Sequence, residues 1–100
     1  MFNLILQLSR EIIMKIYFVY RFHTDHTRIG YDYVELNTYL GECPSYARML
    51  DNQVREAEIS DSYTKEETEF IQIKAYDYLT SNSLGDVKGA IKYAIQELEK

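Results

Sequence analysis

The 100-residue chain has no tryptophan, one proline, one cysteine and four glycines. Its single cysteine, Cys43, excludes a disulfide within the chain and is typical of a protein kept in a reducing compartment. The glycines are isolated from one another, so the sequence contains neither a phosphate-binding glycine loop nor a dinucleotide fingerprint. Nucleotide-dependent enzymes built on those motifs are therefore excluded.

Long hydrophobic runs are also missing. No segment approaches the ~18–20 apolar residues that a membrane-spanning helix needs. The apolar opening, Met1–Leu8, is interrupted by Asn3 and Gln7 and lacks the basic region that precedes a secretory signal. We therefore expect a cytoplasmic protein with no membrane association.

One hundred residues are the usual size of one domain with one core, and an apolar fraction of 46% is ordinary for a globular chain. We predict a single domain over 1–100. The segment MKIYFVY from Met14 resembles a natural chain start, so residues 1–13 are interpreted as an accessory N-terminal extension.

Charge is unevenly distributed along the chain. Asp51 to Glu69 holds seven acids and two bases, which accounts for the whole net charge of −5, since the remaining nine acids and nine bases cancel. Such a segment repels a polyanion, so direct binding to nucleic acid is disfavoured.

Tyrosine is abundant, with ten copies beside four phenylalanines. Its apolar ring and hydroxyl group suit interfaces and ligand pockets. The abundance of Ile, Tyr, Lys, Glu and Asn is also typical of an AT-rich genome, which is an alternative cause.

The clearest element is the strand that begins at Met14. Ile16, Phe18, Tyr20 and Phe22 alternate with Lys15, Tyr17, Val19 and Arg21, which is the period of a strand with one face in the core. A short polar loop and a second alternating segment ending at Leu36 predict a hairpin. The competing interpretation is a helix over 32–40 that ends at Gly41.

Helical signals follow from Pro44 onward. Apolar residues at spacings of three and four predict helices over about 44–58 and 84–99, with Ser83 as the cap of the last one. Thr64-Lys-Glu-Glu67 has the form of a capping box for a helix over about 64–80.

Together these elements predict an α+β fold: a short antiparallel hairpin or sheet over about 14–36, packed against two to three helices. Because a lone hairpin is only marginally stable, it needs the helices, a third strand or a second copy of itself. The Tyr17/Val19 face and an open sheet edge make a homo-oligomer a further expectation.

The conspicuous polar residues do not assemble into a catalytic or metal site. His23 and His26 flank Asp25 but lack a third and fourth zinc ligand, and no nucleophile accompanies them. Cys43, before Pro44, is interpreted as a small half-buried residue rather than as a thiol activated by a helix N-terminus. We therefore expect no enzymatic activity, no metal and no cofactor.

The leading functional hypothesis is a small acidic protein that binds a partner protein and inhibits it, resembling viral and mobile-element inhibitors in type. The expected partner processes nucleic acid and offers a basic surface, which the acidic segment would approach by electrostatic steering. The expected contact residues are Glu56, Glu58, Asp61, Tyr63, Glu66, Glu67 and Glu69, with Tyr46 and Tyr76 as further anchors.

The alternative is a module that binds or sequesters a nucleotide or another anionic metabolite. Arginine forks and stacked aromatic rings are the groups such a ligand requires. They would come from the hairpin, through Arg21, His23, His26, Arg28, Tyr31 and Tyr33.

Overall fold

The computed structural model describes residues 13–24, 32–49 and 52–100. The described elements are β1 (Ile13–His23), β2 (Tyr33–Leu40), a short 3₁₀ turn (Ser45–Arg48), β3 (Gln53–Ser60), α1 (Lys65–Ser81) and α2 (Val87–Leu98). The predicted α+β class is confirmed. Residues 1–12, the candidate extension apart from Ile13, lie outside the described part.

The three strands form one antiparallel sheet in the order β2-β1-β3. The central strand, β1, is also the strand with the most buried apolar residues. Ile16, Phe18 and Tyr20 are buried on the face that the helices cover, as the alternation predicted. Phe22, at the end of that row, remains largely exposed.

The predicted hairpin is confirmed, but its second strand lies further along the chain than expected. β2 spans Tyr33–Leu40, and the competing helix over 32–40 is wrong. Tyr33 pairs with His23 and Leu40 with Ile16. Gly41 ends the strand with a positive φ of 82°, a conformation that glycine adopts without a steric penalty.

The predicted helix over 44–58 is wrong. Ser45–Arg48 forms a 3₁₀ turn, and Gln53–Ser60 forms β3, which pairs with β1 along its whole length. Arg, Glu and Ala favour helices locally, which explains the error. The backbone groups along the second edge of β1 and the burial of Ile59 in the core favour a third strand instead.

The two remaining helices are confirmed with small changes in their bounds. Their buried faces meet each other and the sheet through Ile71, Ala75, Leu79, Ala90 and Ala94. Gln72 of α1 donates to the Thr38 hydroxyl of β2 at 2.8 Å, and Arg55 of β3 donates to the Gly85 carbonyl before α2 at 2.7 Å. These contacts place α1 over β2 and α2 over β3.

The helix-free face of the sheet is also partly covered. Val19 is fully buried there, as is Ala47 of the 3₁₀ turn. Tyr46 packs edge-to-face against Tyr39 of β2, with ring centroids 6.4 Å apart. Val19 is therefore not available as part of a self-association surface, contrary to the expectation for the Tyr17/Val19 face.

Candidate functional site

The expected acidic surface is divided between two parts of the molecule. Glu56 and Glu58 lie on the helix-free face of β3, at the edge of the sheet. Glu66 and Glu69 lie on the first turns of α1. Asp61 occupies the exposed turn between them, and Tyr63 is half-buried against the core. Tyr63 therefore contributes to packing, and its contact with a partner stays a prediction.

Glu67 has a structural role at the start of α1. Its carboxylate accepts the Thr64 amide at 2.9 Å, while the Thr64 hydroxyl accepts the Glu67 amide at 3.1 Å. This is the capping box that the sequence predicts, and it satisfies two amide donors that the first turn would otherwise leave without partners. Because this carboxylate is engaged, we remove Glu67 from the candidate contact surface.

An exposed surface follows one side of α1. Residues three and four apart share a face of a helix, and Glu66, Glu69, Ile73 and Tyr76 follow that spacing. We call these four residues the outer α1 face. Ile73 is 60% exposed and Tyr76 is 40% exposed, whereas Thr68, Ile71, Ala75 and Leu79 form the buried side of the same helix. The spacing of apolar residues in the sequence predicted the buried side of this helix, but it did not indicate that Ile73 is exposed.

The outer α1 face combines two apolar side chains with two carboxylates. Large side chains that remain solvated are the usual anchors of an interface, because they gain the most from burial. Glu66 also lies in the first turn, where the helix dipole stabilises a negative charge. This face can therefore bind an apolar patch bordered by cations.

The hairpin residues of the alternative ligand site are only partly within the described chain. His26, Arg28 and Tyr31 lie outside it. The His23 ring stacks on Tyr33 with centroids 4.5 Å apart and an interplanar angle of 8°. The two rings are adjacent because His23 and Tyr33 face each other across β1 and β2.

A carboxylate lies in the middle of that cluster. Glu35 accepts hydrogen bonds from Asn37 at 2.9 Å and from His23 at 2.8 Å, and Arg21 faces it across the strands. The bond from Asn37 and then that from His23 lower the pKa of the Glu35 carboxyl below its ordinary value. An anionic ligand here would therefore be repelled by the Glu35 carboxylate as well as attracted by the Arg21 guanidinium.

Tyr39 and Tyr46 form a second tyrosine pair, with their hydroxyl groups hydrogen bonded to each other. This bond, together with burial, raises the pKa of Tyr39 to about 12. Cys43 lies half-buried nearby. The segment after it is a four-residue 3₁₀ turn instead of the predicted helix.

Over the described residues, no group of three His, Cys, Asp or Glu side chains could hold a metal ion. The helices within the same ranges are too short or too polar to cross a membrane. Comparisons of the chain with protein-family models, with curated proteins and with solved structures find no match.

Proposed function

We infer that this chain is a small non-enzymatic protein that binds a partner protein through the outer α1 face and inhibits it. The observation that supports this function is the exposure of Ile73 and Tyr76 beside Glu66 and Glu69 on one side of α1. Isolated exposed apolar residues are common, but here two large ones share one face with two carboxylates.

The two kinds of residue would have different roles in binding. Glu66 and Glu69 would steer the protein towards a basic surface and thereby raise the association rate. Ile73 and Tyr76 would then be buried and slow dissociation. A basic groove that normally holds nucleic acid offers the complementary charge, and occupying it would exclude the nucleic acid.

The test is affinity capture from a lysate of the source cells, with captured proteins quantified by mass spectrometry. We expect Glu66→Lys/Glu69→Lys, and separately Ile73→Ser/Tyr76→Ser, to lose a protein that the wild type captures. Both variants leave Thr64 and Glu67 unchanged, so the capping box of α1 is kept. The purified partner should also lose nucleic-acid affinity, measured by fluorescence anisotropy, when the wild-type protein is added.

The matched control is Glu42→Lys/Glu99→Lys, which changes the net charge by the same amount at two exposed positions elsewhere. This variant should capture the same partner as the wild type. If the control loses the partner to the same extent, net charge rather than the outer α1 face governs binding, and the proposed site is wrong.

A second candidate function is binding of a small anionic ligand at the hairpin, supported by the stacked His23 and Tyr33 rings beside Arg21. An aromatic ligand with a phosphate would extend the stack and pair with the guanidinium. A panel of nucleotides should then raise the melting temperature of the wild type and of Arg48→Ala, but not that of Arg21→Ala. No shift for the wild type would eliminate this candidate.

A further inference from the structure

A groove of about 720 Å³ runs between β3 and the start of α2. The strand side contributes Ala57 with its neighbours, and the helix side contributes Val87 and Ile91. The apolar part of the groove therefore lies between a strand and a helix. The groove is separate from the outer α1 face, so a role for it does not depend on the proposed function.

The strand that forms this groove is at the edge of the sheet. Over the described residues, β3 pairs with β1 on one side and with no strand on the other. The backbone N–H and C=O groups along such an edge can pair with an additional strand. An extended peptide can dock there, with its backbone on the edge and alternate side chains in the groove.

The charged side chains of β3 indicate which side chains the additional strand should carry. Glu56 and Glu58 pair with Tyr17 and Lys15 of β1 and therefore project from the helix-free face, two residues apart. On the opposite side of β3, β1 already shows the complementary arrangement, because Lys15 faces Glu58 across the strands and its ammonium group lies 3.4 Å from Glu56. A new neighbour with cations at alternate positions would repeat that pairing on the open side.

A second copy of the same strand is a poor occupant. In antiparallel pairing of β3 with itself, registers centred on Glu56 or Glu58 place that glutamate opposite its own counterpart. A register centred on Ala57 places Glu56 opposite Glu58. Like charges directly opposite each other destabilise a sheet, so these three registers disfavour a second copy of β3 as the additional strand.

We propose that the groove between β3 and α2 binds an extended segment of a partner protein as a fourth strand of the sheet. The segment carries lysine or arginine at alternate positions, facing Glu56 and Glu58, and apolar residues between them. Those apolar residues enter the groove against Ala57, Val87 and Ile91.

Charged groups also border the helix side of the groove. Arg55 donates to the Gly85 carbonyl and lies over the Tyr20 ring, and the Asp86 carboxylate accepts the Gly89 amide. Because both groups already have partners, they remain in place when a peptide binds. Lys88 is exposed at the rim, where a carboxylate on one inward position of the partner segment would pair with it.

The test uses a fluorescein-labelled peptide of alternating lysine and valine, matched to the eight residues of β3. Its binding is titrated by fluorescence anisotropy. We expect saturable binding that weakens roughly tenfold or more for Glu56→Lys/Glu58→Lys, since two charge pairs become repulsive. Binding to Glu42→Lys/Glu99→Lys, an equal charge change at two exposed positions outside both acidic surfaces, should match the wild type.

Two control peptides test the strand geometry without altering the protein. Replacement of the valines by prolines keeps the charge but removes backbone donors, and replacement of the lysines by glutamates keeps the backbone but reverses the charge. Both should fail to bind. In amide NMR spectra, the lysine–valine peptide should shift signals from residues 55–60 and 85–91.

Three results would each overturn the proposal. They are undiminished binding of the proline peptide, equal loss of binding in both charge-reversal variants, and peptide-induced NMR shifts confined to regions other than β3 and α2. A wild-type dimer in light scattering that Glu56→Lys/Glu58→Lys alters would overturn it as well, because it would show that a second copy occupies the edge.

Discussion

Asp86 is the residue that begins α2. Its carboxylate accepts the Gly89 amide at 3.0 Å, and its second oxygen accepts the Tyr78 hydroxyl at 3.0 Å. The sequence indicated Ser83 as the cap, three residues too early. Ser83 instead contributes its backbone carbonyl, which accepts the Asp86 amide.

Asp86→Ala should therefore destabilise the protein by about 1 kcal/mol, the usual cost of removing a helix cap. Ser83→Ala is the matched control and should leave the free energy of unfolding nearly unchanged. Urea denaturation followed by circular dichroism measures both. Equal losses for the two variants would contradict the assignment of Asp86 as the cap.

The ionisation of the Glu35 carboxyl makes the stability of the folded protein depend on pH in the acid range. Its pKa in the folded protein is lowered, chiefly by the Asn37 hydrogen bond and then by the His23 bond. A carboxyl group with a lowered folded pKa stabilises the protein fully above its unfolded pKa, and this contribution is lost as the pH falls through the folded value. The loss therefore begins near the ordinary value of 4.5 and continues below it.

We predict that Glu35→Gln lowers the melting temperature at neutral pH. The difference in melting temperature from the wild type should shrink as the pH falls below about 4.5. There the wild-type carboxyl becomes protonated and is then neutral, like the glutamine. Melting curves from pH 3 to 7 test this, with Glu42→Gln as an exposed control. A difference that is constant with pH would show that the Glu35 charge is not responsible.

At the scale of elements, α1 offers a matched pair of isoleucines. Ile71 is 0% exposed and Ile73 is 60% exposed, although both lie in the middle of the same helix. Ile71→Ala should cost about 2–5 kcal/mol because it leaves a cavity in the core. Ile73→Ala should change the free energy of unfolding by less than about 0.5 kcal/mol.

Chemical denaturation of the two variants measures this difference. The comparison also tests the proposed function. An Ile73 variant that stays stable but loses partner binding would show that this side chain contributes to binding and not to folding. A large loss of stability for Ile73→Ala would mean that its side chain is buried in solution, and the outer α1 face would then be wrong.

Helices and strands were predictable where the local sequence pattern favours the same structure that the segment adopts in the folded chain. The alternation of β1, the capping box of α1 and the spacing of apolar residues in α2 each produced the expected element. The segment over 53–60 did not, because its local preference is helical while its pairing with β1 is a long-range interaction. No window of sequence around it contains that information.

At the scale of the whole molecule, the order β2-β1-β3 leaves β1 protected on both sides. Amide hydrogen exchange followed by NMR should be slowest for residues 16–20 of β1, whose surroundings are the most deeply buried. The outward amides of β3 should exchange much faster. Equal protection of the β3 edge would mean that another segment already covers it, which would leave no room for a fourth strand.

The same architecture divided the acidic segment into two surfaces. Along the chain, Glu56, Glu58, Glu66 and Glu69 belong to one charged run, and net charge alone predicted one binding surface. The turn after β3 places the first two on the sheet edge and the last two on a helix. Only the folded chain shows that Glu67 is engaged in a cap and that Tyr63 packs against the core.

The sequence by itself determined the α+β class, the central strand and two of the helices, because alternation, capping and apolar spacing are local properties. It also determined the acidic bias. The third strand, the groove beside it and the exposure of Ile73 were decided by the tertiary structure. Each depends on which distant segment pairs with β1 and which side of α1 faces the core, and these are settled by burial and pairing across the whole chain.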